Sequence, residues 1–237
     1  DCHMTEAPGK TAKMGSKYDD VKLHLFHGAH DPGKLKGVVE LRIYPDIQEI
    51  IPGEPVIINV ALFNQKTGHK FPTGSVEDRI LWLHVEAEDE AGNTFHLKVD
   101  KKGFEGEEYT IASEAVAYQA MGVPLGIENF EGIRREDVPI GDRIFRMPYF
   151  DPQGRMTIMQ WNTASFGVDY RIGPRETKME TFTWNVPFEV KPGKLKLTAT
   201  LNYRLLVKPV GEYLEVPEEE YAIQTINTQT TELTVIP

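Results

Sequence analysis

The residues best suited to chemistry lie near the start of the chain, where cysteine and histidine are concentrated. Cys2 and His3 are adjacent, and His24, His27 and His30 follow at intervals of three residues. On one helical turn these three histidines would share a face, whereas an extended chain would direct them to different partners. Imidazole and thiolate are ligands that zinc and copper accept. The segment therefore indicates metal ligation, and a zinc or copper site is one alternative.

A second candidate is the loop of residues 67–74, which reads Thr-Gly-His-Lys-Phe-Pro-Thr-Gly. Its two glycines allow a tight backbone, and Pro72 fixes one dihedral angle. Phe71 can anchor the loop on an apolar surface. His69 is either a ligand or a histidine that stabilises the loop by bonding to the backbone. The loop directly follows the most regular strand pattern of the chain.

The elements that must position these residues are mostly strands. Residues 55–64 form a β-branched run of the length expected for a buried strand. Alternating patterns predict further strands at residues 38–44, 80–88, 94–99, 178–186, 195–207 and 230–236. In the strand at 178–186, Glu180, Phe182, Trp184 and Val186 share the predicted core face.

The middle of the chain is less regular. Residues 114–121 suggest a short helix, and the Gly- and Pro-rich stretch 122–150 suggests long insertions between strands. Residues 143–147 and 156–161 alternate like strands on either side of an Asp-Pro-Gln-Gly turn, which predicts a hairpin.

Together these patterns predict an all-β chain, an immunoglobulin-like β-sandwich with long loop insertions. Residues 1–22 have no regular hydrophobic period, so an extended, His-rich arm should precede the sandwich. We place the arm at residues 1–37 and the sandwich at residues 38–237. His84 and His96 lie in strands that can pair and face each other, and we predict structural roles for both.

Composition excludes several classes of function. The formal charge of −10 and the pI near 5.2 argue against a nucleic-acid partner. No apolar run is long enough for a transmembrane segment, which predicts a soluble chain. No Gly-x-Ser-x-Gly, His-Glu-x-x-His or phosphate-binding glycine loop occurs, so we do not predict an enzyme.

Because Asp1 rather than Met begins the sequence, we expect a processed or truncated fragment.

Three of these stretches resemble multihaem c-type cytochromes. Cys2-His3-Met4 resembles the end of the Cys-x-x-Cys-His haem-attachment motif, which is often followed by Met in that family. The histidine segment 24–30 is similar to segments that follow this motif. The Gly-His-x-Phe-Pro-Thr-Gly loop resembles a loop of the carboxy-terminal β module of these cytochromes. The departure is that the chain has a single cysteine, so the motif is incomplete.

The resemblance implies an electron-transfer module that covers or ligates a terminal haem c, with covalent attachment incomplete in this chain. Cys2 would attach the haem, and His3 would ligate its iron. A distal ligand would come from His24, His27 or His30. In the same reading His69 is an axial ligand or a donor to a haem propionate, and Phe71 can pack on the porphyrin.

The resemblance also implies periplasmic or extracellular localisation. The implied partners are an upstream haem-bearing segment or neighbouring cytochrome subunit and a redox partner protein. Any reductase active site would lie upstream. Two alternatives carry no haem: a cofactor-free structural or adhesive binding module, and a protein with histidine-bound copper or zinc.

Overall fold

The structure, a computed structural model, describes residues 3–24, 28–100, 115–117, 133–134 and 138–237. The chain divides into two compact units, Asp1–Leu35 and Lys36–Pro237. In the described part of the chain no helix has the length and apolar character needed to cross a membrane.

The first unit is more ordered than the extended arm we predicted. Strand β1 (Glu6–Lys10) pairs with β2 (Lys17–Lys22) in an antiparallel hairpin with an irregularity between Ala7 and Gly9. A 3-10 turn (Gly28–His30) and a short helix α1 (Pro32–Leu35) follow. No residue of the hairpin is fully buried, so its sequence needs no regular alternation of apolar and polar residues. Hydrophobic periodicity therefore gave no signal for it.

The second unit is nearly all strand. Its longer strands are β3 (Val39–Pro45), β5 (Pro55–Asn64), β6 (Ile80–Asp89), β14 (Thr177–Asn185), β15 (Gly193–Arg204) and β16 (Gln224–Val235). Its shorter strands are β4 (Glu49–Ile50), β7 (Thr94–Leu97), β8 (Ala115–Ala117), β9 (Ile133–Arg134), β10 (Arg143–Ile144), β11 (Tyr149–Phe150), β12 (Met156–Thr157) and β13 (Ser165–Phe166). A helix α2 (Lys208–Tyr213) and 3-10 turns at Gln160–Asn162 and Glu218–Glu220 complete the unit.

Two sheets form the sandwich. One has six strands in the order β10-β6-β15-β16-β4, with β7 also pairing with β6, and the other has the order β14-β5-β3. Pairing is antiparallel apart from β16 with β4. The predicted all-β sandwich is confirmed.

The core lies between these sheets and follows the alternation of the strands. In the six-stranded sheet, neighbouring strands β6 and β15 each bury one row of side chains. The row on β6 is Leu81, Leu83, Val85 and Ala87, and the row on β15 is Leu195, Leu197, Ala199, Leu201 and Tyr203. The opposite sheet buries Val56, Ile58, Val60 and Leu62 of β5 and Glu180, Phe182 and Trp184 of β14. The core face predicted for residues 180–186 is confirmed.

A second apolar cluster covers one end of the outer face of the six-stranded sheet. Ile80 and Trp82 of β6 pack there with residues that arrive from later segments. The other buried members are Val138, Ile144, Ile158, Val207 and Val210. This end of the sheet is therefore buried on both faces, which explains why β6 begins with a continuous apolar run.

The predictions for the middle of the chain are corrected in part. β11 and β12 form the predicted hairpin around the Asp-Pro-Gln-Gly turn, but its first arm is Tyr149–Phe150. The segment assigned to that arm, residues 143–147, instead supplies β10, which pairs with β6. Within the predicted helix 114–121, residues Ala115–Ala117 form strand β8 and the rest lies outside the described residues.

Candidate functional site

The edge strand next to β6 is split by a long excursion of the chain. β7 and β10 both pair with the same edge of β6: Leu97 lies opposite Val85, and Arg143 lies opposite Leu83. Asp142 therefore continues the line of β7 at the position opposite His84. The chain leaves this line after Leu97 and rejoins it at Asp142. The backbone N–H of Val99 donates to the carbonyl oxygen of Gly141 at 3.0 Å and closes the neck of the excursion.

This split brings three ligand-type side chains to one face of the sheet. His84 and Glu86 share the outer face of β6 because strand residues alternate, and His96 lies opposite Glu86. Asp142 lies beside His84 on the same face. Residues distant in sequence thus meet where the two parts of the edge strand adjoin.

Both imidazoles point a ring nitrogen at the Asp142 carboxylate. Nδ1 of His84 lies 2.9 Å from each carboxylate oxygen, and Nε2 of His96 lies 2.7 Å from Oδ1. The two rings stack with centroids 5.0 Å apart and an interplanar angle of 18°. Within the described ranges this is the only group of three or more histidine, cysteine or acidic side chains arranged to hold a metal ion. Its ligand atoms all lie within 4.8 Å of one another.

The burial of the three groups is uneven. The Asp142 side chain is fully buried, whereas His84 and His96 have 24% and 28% of their side-chain surface exposed. The hydrogen bond to Asp142 raises the pKa of His84 against the opposing effect of burial, and the Asp142 and Glu86 charges add to the rise. The site therefore favours positive charge beside a buried carboxylate.

The histidine pair faces each other, as the sequence suggested it could, but Asp142 was missed. Sequence patterns could not find Asp142 because its place in the strand depends on where the excursion of residues 98–141 ends. We predicted purely structural roles for His84 and His96. Their convergence on one carboxylate adds a candidate ligand set that their strand positions alone did not indicate.

The loop of residues 67–74 is organised by Asn64 at the end of β5. The Asn64 amide donates to the carbonyl oxygens of His69 and Ile172, both at 3.1 Å. Its Oδ1 accepts bonds from the backbone N–H and the hydroxyl of Thr67 at 3.2 and 2.7 Å. Phe71 and Ile172 exchange backbone hydrogen bonds at 2.8 and 2.9 Å. The Phe71-Pro72 peptide bond is cis.

The two loop residues selected from the sequence differ in environment. Phe71 is buried and stacks on Tyr203 with ring centroids 5.8 Å apart, so it anchors the loop on the core. The apolar surface on which Phe71 packs is therefore the core of the sandwich. Nδ1 of His69 lies 3.0 Å from the Lys70 carbonyl oxygen. Because a carbonyl only accepts, Nδ1 carries the proton, and in the neutral ring Nε2 holds the lone pair.

The predicted ligands of the first unit are placed in part. His3, His24 and His30 all lie at exposed positions. Cys2 and His27 lie outside the described residues. Among the described residues, His3, His24 and His30 do not form a three-ligand group. Their roles as ligands stay predictions.

Comparisons with known proteins give a likeness of fold. No family model and no curated protein matches the chain. A penta-haem cytochrome c552 from Thermochromatium tepidum superposes with a TM-score of 0.58 at 19% identity, over 98% of this chain and 46% of the cytochrome. This chain thus spans about half the length of that protein.

A second structure is much less similar. AggA, the major subunit of aggregative adherence fimbriae from Escherichia coli, has a TM-score of 0.34 at 9% identity over 85% of this chain and 97% of its own. A TM-score this low carries no argument about function. At 19% identity the likeness to the cytochrome shows that the chain shares the fold of part of that protein.

Proposed function

We propose that this chain is the carboxy-terminal β module of an exported multihaem c-type cytochrome and serves in electron transfer. The observation that carries the proposal is the likeness to a penta-haem cytochrome over 98% of the chain. A coverage this high extends the likeness over most of the first unit as well as the sandwich. The proposed localisation is periplasmic or extracellular.

The residues of the first unit have the chemistry that a haem requires. Cys2 supplies one thiol, and His3 the adjacent imidazole. His24, His27 and His30 supply further imidazoles for a distal position. When bound, a haem provides an iron that gains and loses one electron. The single cysteine permits one thioether from this chain, so a second thioether would need a cysteine outside the sequence.

The loop at residues 67–74 supports the proposal in a second way. Asn64 and Phe71 fix its backbone on the sandwich. Because Nδ1 of His69 bonds to the Lys70 carbonyl oxygen, ligation of iron by this residue, or donation to a propionate, would use Nε2. The proposed partners are an upstream haem-bearing segment or a neighbouring cytochrome subunit, and a redox partner protein.

The test is whether haem becomes attached at Cys2. The full-length gene product would be produced in a host that matures c-type cytochromes. We expect a Soret band, a pyridine haemochrome spectrum, and a proteolytic peptide containing Cys2 whose mass is increased by one haem. Thiol addition to a vinyl group loses no atom, so the whole haem mass should appear.

The matched variants are Cys2→Ser and Thr5→Ala. Cys2→Ser should abolish the thioether at position 2, so fragmentation of the peptide should place no haem mass on that residue. Thr5→Ala retains the backbone carbonyl that accepts from Leu23 and should leave attachment unchanged. A folded, colourless full-length protein would refute the proposal and would favour a cofactor-free binding module.

A further inference from the structure

We propose that His84, His96 and Asp142 form a zinc site at the split in the edge strand. This site belongs to the sandwich and involves none of the residues assigned to haem above. Two imidazole nitrogens and one carboxylate oxygen are a ligand set that Zn²⁺ accepts, with water in the fourth position. The partial exposure of both imidazoles leaves that position accessible to solvent.

The distances are close to those of a zinc site. In a tetrahedral site with bonds of about 2.0–2.1 Å, neighbouring ligand atoms lie roughly 3.3 Å apart. Here the carboxylate lies 2.9 Å from Nδ1 of His84 and 2.7 Å from Nε2 of His96. All three ligand atoms fall within 4.8 Å of one another. Small rotations about the side-chain torsions of the two partly exposed imidazoles would therefore admit the ion.

A further carboxylate lies where it can orient His84. Glu86 Oε2 lies 3.8 Å from Nε2 of His84, the ring nitrogen that faces away from Asp142. With zinc bound at Nδ1, the proton of the neutral ring would lie on Nε2, where a small approach of Glu86 would let its carboxylate accept a hydrogen bond from that N–H. Ligating histidines commonly have their second nitrogen held by a carboxylate in this way. Glu86 is therefore a positioning residue in the proposal.

Charge also favours a cation at this point. The Asp142 carboxylate is fully buried beside the two imidazoles, and its negative charge would attract a cation bound between them. Because Asp142 begins the return of the chain into the sheet, the ion would also bind together the two parts of the split edge strand.

The test is zinc titration of the full chain by calorimetry, with wild type compared with His96→Gln, Asp142→Asn and Glu88→Gln. Glu88 lies on the same face of β6 but contacts Lys196 and not the proposed site, so its variant is a matched loss of one carboxylate. We expect wild type and Glu88→Gln each to bind one equivalent of zinc at this site. His96→Gln and Asp142→Asn should lose that equivalent or bind it at least about tenfold more weakly. Any equivalents taken by Cys2 and the histidines near the start are common to all four proteins, so the result is the difference between them.

His96→Gln changes a partly exposed side chain and keeps the test decisive if Asp142→Asn does not fold. The imidazole NMR signals of His84 and His96 should shift at one equivalent of zinc in the wild type. Equal zinc binding in wild type and His96→Gln, or no zinc binding by wild type, would overturn the proposal. In that case His84, Asp142 and His96 form a hydrogen-bonded group that holds no metal. The haem spectrum of the holoprotein is independent of either result.

Discussion

Asp169 shows how a single carboxylate ties the loop of residues 67–74 to a neighbouring segment. Arg171 donates to both of its oxygens, at 2.9 and 2.8 Å, and Lys70 of the loop donates to Oδ2 at 2.7 Å. Burial acts to raise the pKa of Asp169, but the hydrogen bonds from Arg171 and Lys70 outweigh it and lower the pKa to about 2. The ionised form therefore stabilises the folded state.

We expect Asp169→Asn to lower the free energy of unfolding at pH 7 by about 1–2 kcal/mol, after allowance for solvent screening of the exposed Lys70. The folded pKa lies below the unfolded value of about 3.9, so the contribution is complete above that value and is lost as pH falls towards about 2. Urea unfolding at pH 7, 4 and 3 should show the difference from wild type shrinking. A difference that does not depend on pH would contradict this account.

Asp78 should behave in the opposite way. Burial raises its pKa to about 6, and the charge of Glu77 adds to the rise. Because the folded pKa lies above the unfolded one, the contribution of Asp78 to stability is present below about pH 4 and is lost as pH rises through about 6. We expect Asp78→Asn to raise the free energy of unfolding at pH 8 by about 1–2 kcal/mol and to change it little at pH 4.

The comparison for Asp78→Asn is Asp169→Asn, which makes the same chemical change. At neutral pH the two variants should shift the urea midpoint in opposite directions, and a shift of the same sign would refute the assignment of one of them. Neither effect was predictable from the sequence. Scattered carboxylates pair with many partners, and only the fold shows which of them meet Arg171 or lie buried beside Glu77.

At the scale of elements, β14 and β10 are joined by a buried ion pair between the sheets. Glu180 of β14 and Arg143 of β10 both face the interior, with Nε of Arg143 3.4 Å from Oε2 of Glu180. The Arg143 guanidinium also lies 4.5 Å from the ring centroid of Tyr170. The alternation in β14 predicted that Glu180 shares the face of Phe182 and Trp184. Its partner could not be predicted, because Arg143 reaches the sheet only after the excursion.

We expect Glu180→Gln to lower the free energy of unfolding by about 3–5 kcal/mol, because it removes the charge of the buried carboxylate that lies beside the buried Arg143. The double variant Glu180→Leu with Arg143→Met should recover much of this loss, since it removes both charges. Glu88→Gln, on the outer face, is the control and should change stability by less than about 1 kcal/mol. A double variant less stable than Glu180→Gln would contradict the interpretation.

At the scale of the whole molecule, the register of the six-stranded sheet places residues 98–141 between two consecutive positions of one edge strand. Leu97 and Asp142 occupy consecutive positions along the edge of β6. We expect a variant that lacks residues 98–141, with Leu97 joined directly to Asp142, to fold as a sandwich with one continuous edge strand. Its stability should fall by a few kcal/mol, because Ile80 and Trp82 lose the packing of Val138.

Far-UV circular dichroism and cooperative urea unfolding would check this prediction. The control is removal of residues 101–137 alone, which keeps Val138 and the bond between Val99 and Gly141. If the control folds and the complete deletion does not, the neck is part of the sandwich and the insertion is not separable.

The sequence predicted the sandwich because its long strands alternate clearly between buried and exposed residues, as in β15. The bounds of β5 agree with the predicted run of residues 55–64. The parts that were missed depend on contacts between distant segments. β10 has only two residues, too few to show a hydrophobic period. Its pairing with β6 is therefore visible only in the folded sheet. The hairpin of the first unit was missed because it buries too little to show a pattern.

The closed neck of the excursion has a consequence for how the length of this region can vary. The bond between Val99 and Gly141 joins the two ends of the excursion where it leaves and rejoins the sheet. The entropic cost of closing a loop grows only logarithmically, by roughly 0.6 kcal/mol for each doubling of its length. Related chains could therefore lengthen, shorten or exchange this segment without re-registering a single strand, and selection could reshape the region while the sandwich stays constant.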